Sequence, residues 1–338
     1  MSRRALTFFL ASVLAVGLLV AGGYQSVPYV ALSPGPAIIT LGGTGKDAVL
    51  SVSGAPTYAT DGALDLTTVS VKDRITLFEA ITGWFSDRQA VVPRELIFPP
   101  DQTEADTNKQ NTEEMKQSQD DATTAALTEL GVPVVVAVDE VGKGAPAQGK
   151  LRVGDVLVTV DGAKITNAKS LRTLISKHQP GQDVVIGYTR GGRPGTATIT
   201  TGTSTDKPTR AVVGISPRQS FPIKVDIRLK DIGGPSAGMM FALGIIDKLG
   251  KESLTGGKNI AGTGTIDADG KVGPIGGIAE KMLGAKDAGA TVFLAPADNC
   301  PEAKDNKPAG LTLVKVATLK DAVSALATLR AGGTPPSC

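Results

Sequence analysis

The sequence predicts a multidomain α+β chain behind one N-terminal transmembrane helix, and three observations predict it. An uncharged stretch over residues 5–23, rich in leucine, phenylalanine and valine, stands directly behind Ser2-Arg3-Arg4. Short apolar runs separated by Gly/Pro turns recur through residues 28–204, the pattern of strand-rich modules. Beyond residue 205, strand-like alternation interchanges with helical periodicity.

The N-terminal run of about 19 residues is close to the ~20 that cross a bilayer, and arginines on its N-terminal side leave the bulk of the chain extracytoplasmic. Residues 1–4 are then a cytoplasmic tail and residues 5–23 a single-pass anchor in the cell membrane. A cleaved signal peptide is the alternative; the run exceeds a usual h-region and no clean Ala-x-Ala site follows it. Residues 28–98 read as a small β-rich extracytoplasmic module, with strands at 29–32, 37–41, 49–52 and 64–71 and a helix over 76–84. Residues 99–121 are strongly polar, a solvated linker or exposed helix.

The chemistry lies in the last third. Val225, Ile227 and Leu229 alternate with Lys224, Asp226 and Arg228 as a half-buried strand, and an apolar helix covers residues 237–249. The turn between them, Gly233-Gly234-Pro235-Ser236-Ala237-Gly238, places Ser236 at a helix N-terminus. There the free amides around Gly234, Ser236 and Ala237 and the positive dipole end suit an oxyanion. The bland reading of this hexapeptide is an N-capping serine. On the helix after Gly277, Ile278, Met282 and Ala285 form an apolar stripe, and Lys281 occupies a slot of that stripe. Desolvation there turns an ammonium toward the neutral amine that takes a proton from a serine; the bland reading is a snorkelling lysine. With His178 the sole histidine, a Ser-His-Asp triad has one candidate base and a His-Glu-x-x-His zinc site cannot be built.

These two segments resemble the Lon-type serine peptidases, and more closely the membrane-anchored, PDZ-containing Lon-like peptidases of bacteria. Gly234-Pro235-Ser236-Ala237-Gly238 is similar to the family's nucleophile motif. The stretch from Lys271 to Lys281 (Lys-Val-Gly-Pro-Ile-Gly-Gly-Ile-Ala-Glu-Lys) is similar to its lysine motif. The resemblance covers about residues 205–330 and implies Ser236 as nucleophile, Lys281 as general base and Thr263, in Gly262-Thr263-Gly264, as a hydrogen-bonding support of the pair. The position three before the serine is acidic in Lon proteins that carry an ATPase; here it is Gly233, and the nearest acid is Asp231. Every Gly-Lys pair lacks the hydroxyl residue that completes a phosphate loop, so no nucleotide-driven unfolding and no cofactor is expected.

Residues 122–204 resemble a PDZ domain, through the order of turn signals and the stretch Leu151-Arg152-Val153-Gly154-Asp155-Val156-Leu157. The resemblance implies peptide binding by strand addition, with Leu130-Gly131-Val132 as the candidate carboxylate loop. His178, at the end of the expected helix over 171–178, reads as a surface residue. Cys300 and Cys338, the only cysteines, pair in an oxidising compartment; spacing alone leaves two free thiols open.

Residues 205–338 thus form the expected Lon-like Ser-Lys peptidase domain. The near-neutral net charge of +2 and the absence of a basic stripe with interleaved aromatics argue against nucleic acid. No metal is expected, partners are protein or peptide substrates and the membrane, and homo-oligomerisation is left open. The sequence therefore predicts an ATP-independent extracytoplasmic serine endopeptidase. A non-catalytic membrane scaffold that recruits partners through its PDZ domain is the alternative.

Overall fold

The computed structural model describes residues 3–42, 48–100, 102–204, 206–229 and 232–338, so Asp231 lies outside the described residues. The chain forms two compact units, one from Met1–Glu129 with Val225–Cys338 and one from Leu130–Lys224.

The first half of the larger unit begins with α1 (Arg3–Gly23), long and apolar enough to cross a membrane, with a mean hydropathy of 2.2 over Leu6–Gly23. Then come β1 (Tyr29–Ile39), β2 (Leu50–Ser53), β3 (Ala63–Lys72), α2 (Leu77–Trp84), β4 (Ala90–Pro93) and α3 (Glu104–Glu129). The expected strands over 29–32 and 37–41 are one strand, β1, broken by a bulge between Pro34 and Ala37. A Cβ on Gly35 would come within 2.3 Å of Thr68 Oγ1, so only glycine lets β1 approach β3 there. Thr76 opens α2 with a capping box closed by Glu79.

The smaller unit is a sheet in the order β12-β5-β6-β8-β9. Its strands are β5 (Val135–Val141), β6 (Val156–Val160) with β7 (Ala163–Lys164) alongside, β8 (Asp183–Arg190), β9 (Arg193–Thr200) and β12 (Ile215–Ser220). The helix α4 (Ala168–Ile175) follows β7, and β10 (Gly202–Thr203) and β11 (Ala211–Val212) form a small ribbon before β12. Leu157, Val160, Leu171, Ile186 and Ile199 fill its core.

Back in the larger unit, β13 (Lys224–Ile227) pairs with β2. The helix α5 (Gly238–Leu249) precedes β14 (Asn259–Gly262), β15 (Thr265–Ile266) and β16 (Val272–Gly273). The fold closes with α6 (Ile278–Asp287), β17 (Val292–Pro296), α7 (Cys300–Asp305), β18 (Thr312–Val316) and α8 (Leu319–Arg330). Ten of the twelve residues of α5 are buried.

Three sequence boundaries need correction. Residues 28–98 are not a separate module, because β3 pairs in parallel with β14, Ala63–Leu66 against Asn259–Gly262, inside one sheet of order β18-β17-β14-β3-β1-β4. Parallel pairing of strands so far apart in the chain leaves no local trace in sequence. Residues 99–121 are not a linker: most of them belong to α3, which buries Met115, Ser118, Ala122, Ala125 and Ala126. That spacing of three and four is helical, but its small side chains are invisible to a hydrophobicity count. The compact unit with the PDZ-like stretch runs over 130–224 rather than 122–204, so residues 205–224 belong to it and not to the C-terminal unit.

Candidate active site

Ser236 ends the turn between β13 and α5, half-buried, with Ala237 as the helix N-cap. Gly234 adopts φ +83°, a left-handed conformation that favours glycine. The turn is held from two sides. From α3, Asn111 C=O accepts the Gly234 N–H at 3.0 Å, and the Ser118 hydroxyl donates to Pro235 C=O at 2.9 Å. From the segment after β14, Gly264 N–H and the Thr263 hydroxyl both donate to Ser236 C=O, at 2.8 and 3.0 Å. A Cβ on Gly238 would lie 2.7 Å from Ser118 Oγ and 2.8 Å from Ile266 Cγ2, so the first turn of α5 is glycine by close packing. Among the described residues, the N–H groups of Ser236 and Ala237 find no acceptor, as the start of a helix requires.

Gly277, at φ +69°, is the N-cap of α6 and sits against β3. One turn on, Lys281 is 3% exposed among Ile278, Met282 and Ala285. Its Nζ lies 2.7 Å from Ser236 Oγ and 3.0 Å from Thr263 Oγ1. Among the described residues no carboxylate pairs with it, and burial alone pushes its pKa down to about 8. The three residues singled out in the sequence, Ser236, Thr263 and Lys281, therefore meet.

They open into a cleft of about 540 Å³, lined by Leu66, Val69, Met115 and Ile232 as well as Ser236 and Lys281. The pairing of β3 with β14 stops at Leu66, while residues 67–71 continue along the cleft. Nothing in residues 28–121 signalled this role; the sheet order brings β3 to the serine, and the Asn111 and Ser118 hydrogen bonds bring α3.

The smaller unit holds its groove elsewhere than at Leu130-Gly131-Val132. Those residues form the turn leaving α3, with Leu130 37% exposed, and they are not among the residues that line the groove beside α4. The groove, about 790 Å³, lies between Leu171 and Ile175 of α4 and the segment Val213-Gly214-Ile215 that enters β12. There β12 is an edge strand whose other side pairs with β5. The readable signal was the apolar-Gly-apolar run into a strand, which follows the PDZ-like stretch instead of preceding it. His178 is not a free surface residue: its Nε2 lies 2.9 Å from Asp161 Oδ2 and its ring is largely buried. Cys300 and Cys338 are joined in a disulfide that ties the C-terminal tail to α7.

Comparison with known proteins finds two domain families, with bounds that differ from those of the compact units. Residues 109–201 match the PDZ domain model and residues 229–327 the C-terminal proteolytic domain of Lon protease (S16). The chain is 38% identical over 101 residues to Lon protease 1 of Bacillus subtilis, covering 28% of this chain and 12% of that protein. It is 35% identical over 111 residues to Lon protease 2 of Herpetosiphon aurantiacus, covering 31% and 13%. The chain thus spans about an eighth of the length of these curated relatives. Among solved structures, it matches the PDZ domain of an SdrC-like protein from Listeria monocytogenes at 27% identity and TM-score 0.23, covering 24% of this chain and 85% of that one.

Proposed function

Since the chain carries a Lon-type proteolytic domain together with a PDZ domain, we propose that it is an ATP-independent serine endopeptidase working through a Ser236–Lys281 dyad. The observation that carries this reading is a buried lysine that, among the described residues, has no carboxylate partner and lies 2.7 Å from a serine at a helix N-terminus. A lysine whose pKa is about 8 supplies neutral amine near neutral pH, the form a general base requires.

Neutral Lys281 takes the Ser236 proton as Oγ attacks the peptide carbonyl carbon. The oxyanion that forms is met by the N–H groups of Ser236 and Ala237, just before α5, and protonated Lys281 then gives its proton to the leaving amine. Lys281, neutral again, deprotonates a water that attacks the acyl ester; the proton returns to Ser236 Oγ and the acid is released. Thr263 holds the geometry, touching the amine while its hydroxyl anchors the Ser236 carbonyl.

The strand edge beside the cleft and the α4–β12 groove both suit extended peptide, added as a strand. Substrates are accordingly loosely folded, as the lack of a phosphate-loop motif also requires. With α1 as anchor, catalysis takes place on the extracytoplasmic side of the membrane. The full-length protein in detergent, incubated with a disordered protein and no nucleotide, should release peptides. Cleavage that persists in Ser236→Ala would sink the assignment.

A further inference from the structure

One face of the larger unit is apolar and open to solvent. Along α2 and just beyond it, Leu77, Phe78, Ile81, Trp84 and Phe85 are 37%, 65%, 43%, 54% and 87% exposed. Their spacing of i, i+1, i+4, i+7 and i+8 is one side of a helix. The other side, with Ala80 fully buried, packs on Ala31 and Ile75. Trp84 sets one ring edge against Tyr29, centroids 5.7 Å apart, and is otherwise open. A helix whose better-packed side is its small-residue side, and whose large residues are mostly exposed, has a partner other than its own core.

The chain itself says which partner. Tyr24, 78% exposed, directly follows α1, and α2 is fastened to that junction without a linker. Leu77 N–H donates to Gln25 C=O at 2.9 Å, Val27 N–H donates to Ile75 C=O at 2.9 Å, and Ser26 bridges Thr76. The window Leu6–Gly23 has 18 residues, which span roughly 27 Å as a helix, close to the ~30 Å hydrocarbon core. When α1 crosses a bilayer, its end lies at the boundary of headgroups and acyl chains, and α2 is held at that depth. Tryptophan and tyrosine beside bulky apolar side chains are what that boundary accommodates.

We propose that the exposed face of α2, with Tyr24, inserts into the outer boundary of the same bilayer that α1 spans, so that the catalytic unit lies on the membrane. This rests on the reading of α1 as an anchor, and not on the peptidase assignment. Trp84 is the sole tryptophan, so its fluorescence reports this surface alone. The full-length protein is reconstituted into phospholipid vesicles, with or without acyl chains brominated near the glycerol end, and intact mass establishes that α1 is retained.

Docking is expected to give blue-shifted Trp84 emission, more than halved by the brominated lipid and little affected by iodide. In a Phe78→Ser/Phe85→Ser variant that pattern should reverse, while cleavage of a soluble peptide is unchanged. Quenching by iodide without quenching by brominated lipid would place the face in water and overturn the proposal. Quenching by neither would mean that protein, such as a second copy, covers the face, and would overturn it too. Lipid quenching that is unchanged in protein lacking α1 would show that the face does not depend on the anchor and would overturn the proposal.

Discussion

Two buried charge-bearing groups, one in each unit, meet the same physical cost in opposite ways. In the smaller unit, Asp155 has a side chain 1% exposed and accepts hydrogen bonds from Arg190 Nε and Nη2 at 2.6 and 2.7 Å and from Arg152 N–H at 2.8 Å. The Arg190 guanidinium holds its carboxyl below the usual carboxylate range. In the larger unit, Lys281 is buried as deeply and, among the described residues, its amine meets the Ser236 and Thr263 hydroxyls and no carboxylate, and its pKa falls. A charge that is paired is kept; one that is unpaired is given up. The first arrangement holds a sheet together, and the second yields a base.

The comparison breaks most visibly at the dyad. Ser236→Ala and Lys281→Met should each lower peptidase kcat by roughly 10⁴-fold or more, and the double variant should be no worse than either single one, because the two residues act as one unit. Full activity in Lys281→Met, measured by peptide release, would remove the lysine from the mechanism.

Stability should separate the two groups next. Asp155→Ala removes the carboxylate shared by Arg190 and the Arg152 N–H and should lower the denaturation midpoint of the smaller unit. Lys281→Met, by contrast, should stabilise the larger unit by about 1–2 kcal/mol while abolishing activity, since it replaces a desolvated amine with an apolar chain of similar shape. A destabilised Lys281→Met protein would show that the amine is structural.

The pH dependences follow from the same shifts. Neutral Lys281 is the active form, so kcat/KM should rise through an apparent pKa of about 8, roughly tenfold between pH 7 and pH 9. In stability, the folded state binds the Lys281 proton more weakly than the unfolded chain does. That contribution therefore improves as pH rises from about 8 toward the ordinary lysine range. For Asp155, whose folded pKa is depressed, stability is present above the ordinary carboxylate pKa and is lost as pH falls through the depressed one. Thermal unfolding of each unit between pH 2 and pH 10 checks both signs.

The smallest effect on activity belongs to the disulfide. Reduction of Cys300–Cys338, which closes a 38-residue separation, removes at most about 3–4 kcal/mol by chain entropy. Lys315 N–H still donates to Pro336 C=O, and the tail is remote from Ser236 in its bonding, so peptidase activity should be unchanged on reduction. A large loss of activity with intact secondary structure would tie the tail to the site.

What the sequence determined by itself is what short spacing encodes. Glycines at positive φ, a serine at the start of an apolar helix and a lysine in an apolar helical stripe are all set within about ten residues, because steric and periodic constraints act locally. Those constraints made Ser236 and Lys281 legible, and hydropathy likewise marked α1. Tertiary structure alone decided the rest. It brought Ser236 and Lys281 to 2.7 Å, inserted β3 beside β14, laid the helix that was one of two readings of the polar stretch against the serine turn, and made β12, after the PDZ-like stretch, the edge of the groove. Such pairings join residues that are far apart in the chain through backbone hydrogen bonds and small buried side chains. Neither leaves a mark in the composition of the segments that make them.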